Sequence, residues 1–286
     1  MIKSLAGAAL VAATFVFPTT AAAWGAQGHR ITALVAEGLL TADAKAGLRT
    51  LMGKVDLAAA ALVLDQQKDM LEQRMPGSRQ WHYDDKPVCD TTPAAPLNTY
   101  CPGGNCASVQ IRRHYLMLID EHATLSQKRF AVNALVHLVG DIHQPLHASD
   151  HDDAGGNGVR VRFTLPSGNS QQMNLHSAWD SSFVRAAFKT ADERIIAKQL
   201  LQAIDANERK DWQKGSATAW LAESYAIAQK QAYGKLPGFS CPADDFGDET
   251  VPLPDDYVRA AIGAVPQQLS KAGVRIAWLL NRAFAK

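Results

Sequence analysis

Apolar positions recur at helical spacing along most of this chain. Residues 30–52 are rich in Ala and Leu and predict a helix, as do residues from about 56 to 73, where Pro76 and Gly77 break the pattern. Residues 107–126 and 128–143 read as helices, the second strongly apolar, and so do 176–187, 191–212 and 216–234. A last helix starts at Asp255 or Asp256 as its cap and runs to about Phe284, with Pro266 expected to kink it. Polar, Gly- and Pro-rich stretches at 86–106, 148–158 and 236–254 read as loops. V-R-V-R-F-T-L at 159–165 alternates, P-S-G-N turns, and Ser170–Leu175 returns, which predicts a β-hairpin near 159–175. With no repeat or clear linker, the pattern implies a single, mainly α domain.

The longest apolar stretch is N-terminal. Lys3 precedes a run from Leu5 to Phe17, followed by Ala21-Ala22-Ala23, a small-residue cleavage pattern. Residues 1–23 therefore read as a signal peptide, 24–286 as the working domain, and the protein as exported, periplasmic or secreted. No later run approaches the roughly 18 apolar residues of a spanning helix, so no membrane span is expected. Of 286 residues, 47% are hydrophobic and 20% charged, a globular balance. A formal charge of +1 excludes a bulk polycation that grips nucleic acid by charge alone. Any such chemistry must come from a local site. Cleavage takes Lys3, one of 29 basic residues, and none of the 28 acidic ones.

Four cysteines, Cys89, Cys101, Cys106 and Cys241, suit disulfides in an exported chain. Cys101 and Cys106 flank a turn-rich P-G-G-N and could close a small loop, leaving Cys89 with Cys241, but sequence allows three pairings.

Five of the nine histidines, His137, His143, His147, His151 and His176, lie within forty residues. In H-L-V-G-D-I-H-Q-P-L-H (137–147), a helix puts His137 and Asp141 on one face, and Pro145 turns His147 elsewhere. His176 and Asp180 repeat the i,i+4 pair. Imidazole and carboxylate at this spacing suit zinc, and a charged Asp141 in an apolar helix needs a partner. Cleavage would also free the Trp24 amine near His29, and a deprotonated amine with its carbonyl can chelate the same metal.

These residues resemble the zinc-dependent single-strand nucleases of the mung bean and fungal type, which are related to the zinc-dependent phospholipases C. The resemblance rests on W-G-x-x-G-H at 24–29, W-H-Y at 81–83, the 137–147 motif, G-G-N at 155–157, N-L-H-S-A-W-D at 174–180 and the segment 268–281. It implies a mainly α fold of that type and three zinc ions. One is held by Asp65, His82, His137 and Asp141. A second shares Asp141 and uses the Trp24 amine and carbonyl with His29, and a third uses His147, His176 and Asp180. Asp56 and Asp69 compete with Asp65 for its role, and Lys68 favours Asp65 because the family places a basic residue three positions on.

The same resemblance implies an endonuclease that cuts single-stranded DNA and RNA to 5′-phosphates, with activity on 3′-nucleotides, working as a monomer. Asp65 would orient the attacking water or accept its proton, and Lys68 and Asn157 would contact the phosphoryl oxygens. Tyr83 would stack a base and Asp85 contact the base edge. A phospholipase C is the alternative reading, less favoured because its last ligand motif is H-x-x-x-E. His143 reads as packing beside the ligands. His114, His122 and His151 read as surface or loop histidines.

Overall fold

Capping residues set the starts of several helices. In a computed structural model that describes residues 24–90, 100–241, 246–247 and 249–285, the 30–52 stretch divides into α1 (Ala26–Leu39) and α2 (Ala42–Met52). Thr41 causes the break: its side chain accepts from Ala44 N and restarts the helix. Asp56 caps α3 (Leu57–Ala60), and α4 (Val63–Gln66) and α5 (Lys68–Arg74) follow, so the expected 56–73 helix is three short ones. The two central helices are α6 (Ala107–Ile119) and α7 (Leu125–Asp141), the latter opened by a Thr124/Gln127 capping box. Beyond the hairpin come α8 (Leu175–Ser177) and α9 (Phe183–Ala186), joined by a π-helical turn over Ala178–Ser182. Then follow α10 (Glu193–Ala203), α11 (Ala206–Trp212, capped by Asp205) and α12 (Ala217–Ile227). The last helix, α13 (Asp255–Ala283), continues through Pro266. Its N-cap is Pro254, with Asp255 and Asp256 in the first turn; those acids complement the helix dipole rather than cap it.

The hairpin forms as β1 (Arg160–Thr164) and β2 (Ser170–Asn174), antiparallel with Arg160 opposite Asn174. A third strand, β3 (Thr250–Pro252), pairs parallel with the other side of β1 inside the stretch expected to be loop. Cys89 bonds Cys241 and Cys101 bonds Cys106, with Cα–Cα distances of 5.7 and 5.3 Å.

Two apolar cores share α1. Its Ala33 and Ala36 pack with α2, α6, α7 and the C-terminal half of α13; its Ile31 and Val35 pack with the hairpin, α9, α10 and the N-terminal half of α13. From Ala131 to Asp141 all but one residue of α7 is buried, which carries His137 and Asp141 into the interior. The signal-peptide segment, 1–23, lies outside the described residues. Among the described residues no helix is long and apolar enough to cross a membrane.

Candidate metal centre

The centre is built where helices end. The α7 helix stops at Asp141, and Pro145 starts a 3-10 turn over Pro145–His147 that points His147 away from the helix axis. Gln144 fixes this turn, since its Oε1 accepts from Leu146 N at 2.6 Å and its Nε2 donates to Asp180 Oδ1 at 2.7 Å. At the start of α1, buried Trp24 precedes Gly25, whose N–H donates to Asp180 O at 2.9 Å. Close crossing of α1 and α7 depends on Gly140: a Cβ there would lie 3.0 Å from His29 Nδ1. W-H-Y ends in a 3-10 turn over Ser78–His82, and Asp84 anchors it. Asp84 N donates to His147 O, and its carboxylate accepts from Ser108 N at 3.0 Å and Ser108 Oγ at 2.6 Å at the start of α6.

These elements bring three groups of side chains together: His29, His137 and Asp141; Asp65, His82 and His137; and His147, His176 and Asp180. The two Asp141 oxygens face different neighbours. Oδ1 is 3.2 Å from His29 Nε2, while Oδ2 is 3.1 Å from His82 Nδ1 and 3.3 Å from His137 Nε2. Asp65 Oδ1 is 3.6 Å from His137 Nε2 and 3.9 Å from His82 Nδ1. Of its two competitors, Asp56 caps α3 and pairs with Lys54, and Asp69 pairs with Arg79; only Asp65 joins these groups.

The tautomers follow from the carbonyls around the rings. A carbonyl oxygen only accepts, so each imidazole beside one carries its proton on that side. His137 Nδ1 donates to Ala61 O at 2.6 Å, His147 Nδ1 to His82 O at 2.8 Å and His176 Nδ1 to Gly155 O at 2.7 Å. Each Nε2 is left as a lone pair. His147 and His176 therefore set two lone pairs against each other at 3.1 Å, with Asp180 Oδ2 3.3 Å from the second. Neutral imidazoles cannot satisfy that contact with a hydrogen bond, whereas a cation between them does. His29 Nδ1, His29 Nε2 and Asp141 Oδ1 are buried and make no hydrogen bond. Orphaned buried donors and acceptors of this kind are costly without a partner, and nitrogen with carboxylate oxygen is a donor set that fits zinc.

Charge states agree with that fit. Burial pushes the His137 imidazole down to about 4 and, with His147 beside it, the His176 imidazole to about 3, so both are neutral near pH 7. Burial alone would raise the Asp141 carboxyl, but the imidazoles of His137, His29 and His82 outweigh it and hold Asp141 well below the usual carboxylate range. Asp180 goes the other way: burial raises it well above the usual range, opposed by the Gln144 hydrogen bond. A bound cation reverses that direction.

Above these groups opens a cavity of about 350 Å³ lined by Asp65, Lys68, His82, Tyr83, Asp85, His147, Asn157 and His176. All four expected substrate contacts, Tyr83, Asp85, Lys68 and Asn157, thus share one cavity with the candidate ligands. Arg79, beside the aromatic motif, lines it too and is held by Asp69 at 2.6 Å. Sequence reasoning missed Arg79, and its only signal is its place in the turn before Trp81. Gly155, at φ +62°, adopts the left-handed conformation and leaves no room for a Cβ, which would lie 2.7 Å from Leu146 O. That geometry puts the Gly155 carbonyl against His176.

The remaining histidines divide. His143 is fully partnered, donating to Val139 O and meeting Arg275 Nη1 at 2.7 Å, as expected of a packing residue. His122 is exposed. His114 corrects the surface expectation: it is buried in α6 between Trp81 and Phe130 and donates to Gln110 O. His151 lies in a loop but is also buried, against Tyr233 and Phe239. It sits near Cys89 and Cys241, whose sulfurs are already bonded to each other.

A mainly helical scaffold with imidazoles and carboxylates converging beneath an open cleft defines a metal-dependent hydrolase site. The family model described as S1/P1 Nuclease matches residues 24–285, and the chain belongs to that family, the zinc-dependent single-strand nucleases its motifs resemble. The chain is 27% identical to Endonuclease 4 of Arabidopsis thaliana, over 92% of this chain and 89% of that protein. It is 25% identical to Nuclease P1 of Penicillium citrinum, over 90% and 97% of the two chains. With Nuclease S1 of Aspergillus oryzae it shares 27% identity, over 62% of this chain and 60% of that one.

Proposed function

We propose that this chain is an exported monomeric endonuclease that hydrolyses single-stranded DNA and RNA to 5′-phosphorylated products, and also acts on 3′-nucleotides, at a centre of three zinc ions. The observation that carries the reading is that the His29 nitrogens and Asp141 Oδ1 are left without hydrogen-bond partners, and the Nε2 lone pairs of His147 and His176 face each other, beneath the cavity. Asp65, His82, His137 and Asp141 hold one ion. Asp141 is shared with a second, completed by His29 and the amine and carbonyl of Trp24, and His147, His176 and Asp180 hold the third. Removal of residues 1–23 frees the Trp24 amine and leaves 24–286 as the nuclease domain.

When bound, the zinc ions supply a water acidified toward neutral pH and positive charge beside the phosphoryl group. The chain's own residues do the rest. Asp65, at the edge of the cavity floor, orients the attacking water and accepts its proton. Lys68 and Asn157 face the phosphoryl oxygens and stabilise the charge that builds on them. Tyr83 stacks a base that has left its neighbours, and Asp85 accepts from the base edge. A stacked duplex cannot present its backbone to such a pocket, which gives the preference for single strands.

The test is to purify the chain with a Trp24 terminus and incubate it with single-stranded DNA and RNA, with and without a chelator. Chelator-sensitive release of 5′-phosphorylated ends is the expected result. No cleavage of either polymer by protein carrying three zinc ions per chain, together with hydrolysis of phosphatidylcholine vesicles, would overturn it in favour of a phospholipase C.

A further inference from the structure

A second cavity, of about 210 Å³, adjoins the first at Tyr83 and Asp85. Its other lining residues are Gln80, Tyr100, Pro102 and Asn105, and none of the candidate metal ligands reaches it. Among the described residues Asp85 is the one charged side chain in the lining, so a phosphate group is disfavoured there. Two phenol rings and two side-chain amides suit a flat, neutral, hydrogen-bonding ring instead.

The walls are held firmly. The Tyr100 hydroxyl donates to Asp90, which fixes its ring. Pro102 and Asn105 lie within the loop closed by the Cys101–Cys106 disulfide. That loop is tied at two further points: Trp81 Nε1 donates to Asn105 Oδ1 at 3.1 Å, and Gln110 Nε2 donates to Gly104 O at 2.8 Å. Gln80 is exposed at the rim. A wall already fixed before binding loses little conformational freedom when a ligand arrives.

We infer that Tyr100 and the disulfide-closed loop form a second nucleobase subsite, which takes the base next to the one seated on Tyr83 on the side away from the bond that is cleaved. This inference rests on the nuclease reading above and names a further element of substrate recognition. A dinucleotide needs only the first cavity for one of its bases, whereas a longer strand also fills the second.

The experiment compares kcat/KM for a dinucleoside monophosphate with that for single-stranded oligomers extended by one nucleotide at either end, in the wild type, Tyr100→Ala and Tyr100→Phe. In the wild type one of the two extensions raises kcat/KM. Tyr100→Ala removes that gain, a loss of about 5- to 150-fold on the extended substrate from the usual strength of base–aromatic stacking. Its rate on the dinucleoside monophosphate stays unchanged, which also reports that the variant folds. Tyr100→Phe keeps the ring and retains the gain. An abasic residue at the extending position abolishes the gain in the wild type and adds nothing to Tyr100→Ala. An unchanged gain in Tyr100→Ala, or an equal loss on short and long substrates, overturns the subsite while leaving the nuclease reading intact. A wild type that cleaves neither substrate overturns both.

Discussion

His137 and His143 belong to one short stretch of chain, are equally buried, and have opposite surroundings. His143 sits in a closed network: its Nε2 meets Arg275, whose guanidinium also donates to Glu223 Oε1 at 2.5 Å and to Trp212 O at 2.9 Å. Every polar atom of the ring is answered by the protein. His137 has one nitrogen answered by Ala61 O and the other directed at carboxylates and a second imidazole. Burial alone therefore does not mark a ligand; a ring nitrogen that faces carboxylates and other imidazoles does. The first network holds helices together, and the second is open to a cation.

The sharpest way to break this contrast is Asp141→Asn. It removes the carboxylate shared by His29, His82 and His137, and activity on single-stranded DNA should fall by at least about 100-fold, with lower zinc content by elemental analysis. Retained activity and zinc would mean the open cluster is not the metal centre. Next is metal removal from the wild type. Chelation should lower unfolding free energy by about 2.7 kcal/mol for each site that had been filled at a hundred times its dissociation constant, measured by urea titration. Little change would mean the buried lone pairs are satisfied some other way. Arg275→Met tests the other region. It should cost about 1–3 kcal/mol of stability by leaving His143 unanswered, with zinc content unchanged. Loss of zinc instead would show that the two regions are not separable.

The smallest effect is a pH step. Burial, with Asp150 and Asp84 nearby, raises the Asp85 carboxyl to about 6. The proposed base contact needs the charged form, so KM for single-stranded substrate should rise as pH falls through 6, and Asp85→Asn should remove the step. The folding sign is the reverse. A carboxyl raised in the native state binds more protons there than when unfolded, so its effect on stability is fully favourable only below about 4 and is lost as pH rises through 6. Asp85→Asn should flatten stability across that window.

Much of the centre was legible because helical spacing is itself geometry. His137 with Asp141 and His176 with Asp180 could be placed from intervals alone, and Pro145 announced the turn that redirects His147. His82 and Asp65 carried no such signal. They sit in a 3-10 turn and a one-turn helix, where no periodicity exists to read, and the family resemblance supplied them. The β3 strand was lost for a related reason: Thr250–Pro252 pairs with residues far earlier in the chain, and its own composition is that of a loop. The broken helix at Leu40 was a different kind of miss, since Thr41 is an ordinary cap signal within an otherwise unbroken Ala-rich pattern. His114 was misplaced because a single polar residue on a helix says nothing about its surroundings until Trp81 and Phe130 are brought beside it.

The hydrogen bond from Gly25 to Asp180 has a consequence in time. It joins the first described turn of the chain to the π-helical turn that carries the last candidate ligand. While the protein is being made, the earliest ligand-bearing helix waits for that turn to emerge. At about 5–20 residues per second, the wait is about 8–31 s. For that interval the nascent chain holds imidazoles and carboxylates but no assembled centre.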